Sequence, residues 1–339
     1  MLRGSGKVNR RNGFSLVELL VAMTLGLAMS SALVNLYVGS KINYVQDDEL
    51  SRMQENARYA LRLLSRELGM SGFMGRLIRF SDITTQAVGS GCVTGSSWAL
   101  TPGRFVELVN DYDGGAITTA SGTTFNCLNA ADLSTDSDLF TVKRTGDEKS
   151  VDNGALINGA VDDDQWYLRV VDYGATTGYQ RIASGASVPS GDLVAGNLVD
   201  YWEYYANIFY VRNYTINAGD GIPSLCNTAL VGNSFTSVCY VEGVENMQVE
   251  FGVDTNGDQQ AEYFTASPSS AEMGNAIAIR IFLLMRSINT ISGYTNDKVY
   301  RLGTTAINPD VNGDPQAFND GFYRRIFNTT VNLRNPVRL

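Results

Sequence analysis

Three sets of residues carry chemistry in this sequence. The first is Asp254-Thr255-Asn256-Gly257-Asp258-Gln259-Gln260-Ala261-Glu262, with oxygen side chains at positions 1, 3, 5 and 9 between two strand-like runs. A hard cation such as Ca²⁺ takes six to eight oxygens, and ligands at alternate positions of a tight turn converge on one point. Asp254, Asn256, Asp258 and Glu262 are the candidate side-chain ligands, with a backbone carbonyl from Gln260. Asn-Gly-Asp is equally good chemistry for a plain hairpin turn, so both readings stay open. The second set is Cys92, Cys127, Cys226 and Cys239, which contain no C-x-x-C pair and so lack finger-like or thioredoxin-like spacing. In an exported chain an even number reads as two disulfides. Of three pairings, local closure favours Cys92–Cys127 and Cys226–Cys239. The third is one carboxylate, Glu18, inside the apolar run Phe14–Val38.

The calcium reading is closer to the nine-residue loops inserted in β-hairpins than to the twelve-residue EF-hand, because the acidic closer comes at position 9. Other acidic groups, Asp162-Asp163-Asp164 and Asp310-Val311-Asn312-Gly313-Asp314, read as solvated turns. The absence of histidine removes the commonest general base and the Ser-His-Asp and Cys-His nucleophile systems. It also removes most catalytic zinc sites. We therefore expect no enzyme. The net charge of −9 repels phosphate backbones, so nucleic acid is an unfavoured partner.

The run Phe14–Val38 is long enough to span a hydrocarbon core as a helix. Arg3, Lys7, Arg10 and Arg11 precede it without an acid among them, which orients the N-terminus to the cytoplasm and exports the rest. A signal anchor, or a signal peptide cut at Ala28-Met29-Ser30, would explain the run but not Glu18. A carboxylate near a membrane-helix centre costs about 2.5–3.5 kcal/mol, and such a charge implies a partner.

Gly13-Phe14-Ser15-Leu16-Val17-Glu18-Leu19-Leu20-Val21-Ala22 resembles the processing motif of type IV prepilins and type II secretion pseudopilins. The resemblance implies a leader at 1–13, peptidase cleavage after Gly13 and N-methylation of Phe14. It also implies that Glu18 pairs with the cationic terminus of a neighbouring subunit. The stretches Val241–Asp254 and Arg325–Asn335 are similar to the C-terminal parts of PilW-type minor pilins. That implies a minor subunit of a type IV pilus that primes assembly and stays in the tip complex. The implied partners are other minor pilins, the major pilin, the prepilin peptidase, the inner-membrane assembly machinery and a tip adhesin. A J-type pseudopilin of type II secretion and a pilus-displayed adhesin are the rival readings.

These residues need a long stem and a globular support. From Gly39 to Phe73, Ile42, Val45, Leu50, Met53, Ala57, Ala60, Leu61, Leu64 and Leu68 mark one helical face, with the charged residues mainly elsewhere. With no proline before Ser97, the sequence predicts one helix over 14–73, membrane-spanning in 14–38 and amphipathic beyond. The fold class is then α+β: this helix packed on a C-terminal, antiparallel β-rich, pilin-like region. We expect a loop-rich β region at 74–195, with strands at Leu139–Lys143 and Trp166–Val171. A more regular region follows at 196–339. There the aromatic run Val199–Tyr214 reads as a buried strand or a carbohydrate platform, and Met247–Val253 as a half-buried strand. Ile277–Met285 reads as a central strand and Phe327–Leu333 as another alternating one.

Overall fold

A computed structural model describes residues 13, 15–75, 77, 80, 83–88, 92–93, 97–157 and 161–335. Residues 1–12 of the expected leader 1–13, the methylation site Phe14 and the last four residues lie outside the described residues. The chain divides into two compact units, Met1–Glu49 and Leu50–Leu339.

Helix α1, Leu16–Gly69, begins in the first unit and ends in the second. In the first unit it is the sole described element, and its apolar side chains are exposed all round, from Leu16 at 75% to Val38 at 48%. In the second unit it is one-sided: Met53, Ala57, Ala60, Leu64 and Leu68, spaced by four or three residues, are 0–3% exposed. That spacing aligns side chains on one face of a 3.6-residue helix. The helix stops where Gly72 turns left-handed at φ 72° and its amide donates to the Lys143 carbonyl at 3.0 Å. Gly75 is left-handed too, and a Cβ there would meet the Trp202 indole at 2.7 Å, so only glycine fits.

Strands of the globular unit form two main sheets. The first has nine strands: β1 (Ile83–Thr84), β2 (Val106–Val109), β3 (Leu139–Asp152), β4 (Ala155–Leu156), β5 (Gln165–Val171), β6 (Thr176–Ile182), β7 (Val199–Arg212), β8 (Ser224–Val231) and β9 (Ser234–Glu242). β7 is its axis, pairing antiparallel with β3, β5 and β8. The second has four: β10 (Val244–Val253), β11 (Tyr263–Thr265), β12 (Ala276–Arg286) and β13 (Arg324–Asn332), in the order β11-β10-β12-β13. Pairing is antiparallel as expected, except that β1 joins β6 in parallel. A short helix α2, Ser270–Gly274, precedes β12.

One core joins the buried face of α1 to both sheets through Leu108, Phe140, Phe209, Val249, Phe251 and Ile281. A second core covers the opposite face of the first sheet with Trp98, Leu100, Trp166, Trp202 and Tyr204. β7 serves both because successive side chains of a strand point to opposite faces.

β7 pairs with β3 and β5, so the regions 74–195 and 196–339 share one sheet and one compact unit. The first of them contains the 14-residue strand β3, which extends the expected strand Leu139–Lys143. One sequence expectation changes here. β10 is buried on both faces: Gln248 and Glu250, expected at the solvent, are 1% and 4% exposed. The segment before β3 covers Gln248, whose Nε2 donates to the Asp136 carbonyl at 2.9 Å. A two-residue-stranded hairpin, Arg301–Leu302 with Thr305–Ala306, covers Glu250, which accepts from the Thr304 amide at 2.9 Å.

Candidate functional site

The start of α1 is built by Ser15 and Glu18. The Glu18 amide donates to Ser15 Oγ at 3.1 Å, and the Ser15 amide donates to a Glu18 carboxylate oxygen at 2.9 Å. This reciprocal pairing satisfies two amides that a helix start leaves open. It also places the carboxylate at the positive end of the helix dipole. Gly13 and Glu18 are both exposed. α1 is long and apolar enough to cross a membrane, with a mean hydropathy of 1.9 over its most apolar stretch. The carboxylate is thus held in a defined position, with acceptor capacity left for a cationic donor.

The acidic loop lies between β10 and β11. One oxygen from each of Asp254, Asp258 and Glu262 falls within 4.8 Å of the others. Asp254 is buried and accepts from the Gly257 amide and, at 3.0 Å, from the Gln259 amide. Asp258 accepts from the Gln260 amide at 2.8 Å. Glu262 accepts from the Thr255 amide and hydroxyl at 2.7 and 3.1 Å. Asn256 is turned onto Asp258, its Oδ1 accepting the Asp258 amide at 2.8 Å. Gln260 is exposed, and its amide serves Asp258. The loop therefore gathers its three expected carboxylates, which already hold a tight turn. That donor set suits a hard cation.

Cys92 is bonded to Cys127, and Cys226 to Cys239. The second bond crosses paired residues of β8 and β9, tying the edge strand to its neighbour. The aromatic run is the buried strand β7: Tyr201, Trp202 and Tyr204 are 0%, 3% and 0% exposed. Tyr201 donates to Asp192 at 2.6 Å. Its rings are core, which removes them as a sugar platform. Asp164 pairs with Arg181, Asp163 accepts from the Gly185 amide at 3.3 Å, and Asp310 caps its own turn through Asn312 and Asp314.

Two buried charge networks escaped the sequence reading. Glu67, on α1, accepts from Arg144 Nε at 2.9 Å and Nη2 at 2.6 Å, and from Asn207 Nδ2 at 3.2 Å. The Arg144 guanidinium also stacks 4.5 Å from the Tyr205 ring. Burial alone would lower the pKa of Arg144, but Glu67 overrides it and raises it. One signal was present: Glu67 stands three residues after Leu64 and seven after Ala60, on the buried stripe. In the second network Arg324 reaches Glu245 at 2.5 and 2.8 Å and Asp320 at 2.6 and 2.8 Å. It lies 3.7 Å from the Phe318 ring. Nothing in the local sequence marks it.

A stem helix with an exposed apolar surface, a capped carboxylate at its start and a strand-rich body define a class. Residues 8–34 match the model described as "Prokaryotic N-terminal methylation motif", in keeping with a pilin-like stem and body. Residues 208–335 match the model described as "Type IV Pilus-assembly protein W". The chain is a PilW-like type IV pilin. A solved type IV-like pilin from Thermus thermophilus is similar over 85% of this chain and 98% of its own, at 14% identity and a TM-score of 0.36. No curated protein matches the chain.

Proposed function

We propose that the protein is a minor pilin: it primes assembly of a type IV pilus and forms part of the tip complex. It is made with its N-terminus in the cytoplasm and its body in the periplasm, cut after Gly13, and methylated on Phe14. It enters the filament through α1, beside other minor pilins and the major pilin. The prepilin peptidase, the inner-membrane assembly machinery and a tip adhesin are its further partners. The observation that carries this reading is Glu18, a capped carboxylate at the start of a helix whose surrounding apolar side chains are all exposed. Burial among other helices or lipid satisfies that surface. The charge then requires a cation, which a neighbour's α-amino group, titrating near 8, supplies. The matched methylation motif supports the processing step.

Intact-mass analysis of the membrane-extracted chain tests this. A mass beginning at methylated Phe14 is expected; a terminus at Met1 or Ser31 overturns the processing and the assembly built on it. Deletion that stops secretion but spares pili would move the chain to the J-type pseudopilin role.

The loop Asp254–Glu262 has a structural role in the same proposal, holding calcium at the millimolar levels typical of extracellular modules. The three gathered carboxylates support this. Calorimetry comparing the wild type with Asp258→Asn/Glu262→Gln should show heat lost in the variant; equal heats would remove the ion from this loop.

A further inference from the structure

Four strands end the two main sheets: β1, β9, β11 and β13. β1 and β11 are two and three residues long, and β13 opens with Arg324-Arg325, of which Arg325 is exposed. Shortness and edge charges are the usual means of keeping foreign strands away. β9 has neither. It runs for nine residues, and Ser234–Val241 contains no charge and no proline.

The direction of its free backbone groups follows from its hairpin. Gly232 and Asn233 join β8 to β9, with Val231 opposite Ser234. In an antiparallel pair closed by a two-residue turn, that first pair is hydrogen-bonded and the pattern then alternates. Thr236 and Val238 therefore bond to Ala229 and Asn227, whereas Phe235, Ser237 and Cys239 turn their N–H and C=O groups away from β8. Among the described residues these outward groups have no backbone partner. The Cys226–Cys239 disulfide holds β9 to β8, so the row of groups is fixed in place. Val238 and Tyr240, 48% and 43% exposed, add apolar surface to the same strand. A fixed row of unpaired donors and acceptors is what strand addition uses, with main-chain bonds for affinity and side chains for specificity.

Two observations say whose strand it takes. Asn56 Nδ2 of α1 donates to the Glu242 carbonyl at 3.1 Å, so the end of β9 lies against the stem. A subunit packed along α1 reaches that edge. Glu242 is exposed and makes no ion pair among the described residues, while the rest of the edge is neutral. β9 holds no cation, so a second copy of it would bring none to Glu242.

We infer that the outer edge of β9 docks an extended strand of a neighbouring, different pilin subunit, neutral along Phe235–Cys239 and basic beside Glu242. This rests on the reading of the chain as a minor pilin.

The test is the amount of full chain in sheared filaments relative to its membrane pool. Ser237→Pro removes an outward N–H, leaves the bonds to β8 in place, and should cut entry at least tenfold while the body melts like the wild type. Ser237→Ala keeps the N–H and should enter like the wild type; an equal loss there would assign the effect to the hydroxyl and overturn the inference. Val238→Lys changes an exposed side chain, sets a charge beside the edge, and should also cut entry; it decides the matter if proline unfolds the body. Wild-type entry by either folded edge variant overturns the inference. A wild-type chain missing from filaments would instead overturn the minor-pilin reading, and this with it. A photo-crosslinker at Thr236 should join the chain to a different pilin subunit; an adduct with a second copy overturns the choice of partner.

Discussion

The two parts of α1 solve opposite problems with the same backbone. Over Leu16–Val38 the helix is apolar on every side and exposed on every side. Over Leu50–Gly69 it is apolar along one stripe, and that stripe is buried against both sheets. Each part also carries a carboxylate that matters. Glu18 is exposed and caps its own helix, whereas Glu67 is buried and bound by Arg144 and Asn207. The difference teaches where each part finds its stabilising contacts. The later part finds them within its own chain, and the earlier part has apolar surface that only a membrane or other helices can cover.

That contrast can be broken by substitution. Glu67→Ala leaves Arg144 buried without its anion and should lower stability by about 3–5 kcal/mol. Denaturant unfolding of the full chain measures this, and Glu67→Leu/Arg144→Met should recover much of the loss; a loss near zero would mean the pair is solvated. Next, Leu64→Ala opens a cavity in the shared core and should cost about 3 kcal/mol by the same measurement.

A third measurement sharpens the role of β3, whose adjacent Lys143 and Arg144 point to opposite faces. Lys143 is 1% exposed and donates to the Trp98 and Thr101 carbonyls at 3.2 and 3.0 Å. Burial lowers its pKa from 10.5 to about 8, against the opposing pull of Glu107. Between pH 8 and 10.5 the unfolded chain then binds the extra proton, so this group's contribution to stability rises with pH across that window. The rise is at most about 3 kcal/mol. Lys143→Met should flatten the pH profile there; an unchanged slope would show that Lys143 is not its source.

The smallest effect on folding belongs to the first unit. Leu25→Ala should leave the unfolding midpoint of the body within about 0.5 kcal/mol. Glu18→Gln should likewise spare the body while depleting the chain from sheared filaments. A Glu18→Gln chain that enters filaments at the wild-type level would end the pairing proposal.

Much of this was legible beforehand. Periodicity located the stripe from Met53 to Leu68, and alternation or continuous apolar runs located β5, β7 and β12. The elevated chemistry of the first twenty residues is local in sequence, so the motif around Gly13 and Glu18 could be read directly. The acidic loop was legible as a turn of oxygens. The meeting of its three carboxylates within 4.8 Å of one another was not.

The misses share a cause. Gln248 and Glu250 alternate with apolar neighbours and so imitate a solvated face, until segments distant in sequence cover them. Glu67 stands among charged helix residues and differs from them in meeting Arg144, 77 positions away. Arg324 and Glu245 are likewise 79 residues apart. Pairings of this kind leave no periodic trace.

By itself, the sequence determined the stem helix, its lone early carboxylate, the processing motif and the strand-rich body, because each depends on residues a few positions apart. Only the tertiary structure decided which charges are buried and which aromatics are core. Those outcomes depend on burial and on partners brought together by strand order, and burial is a property of the assembled chain.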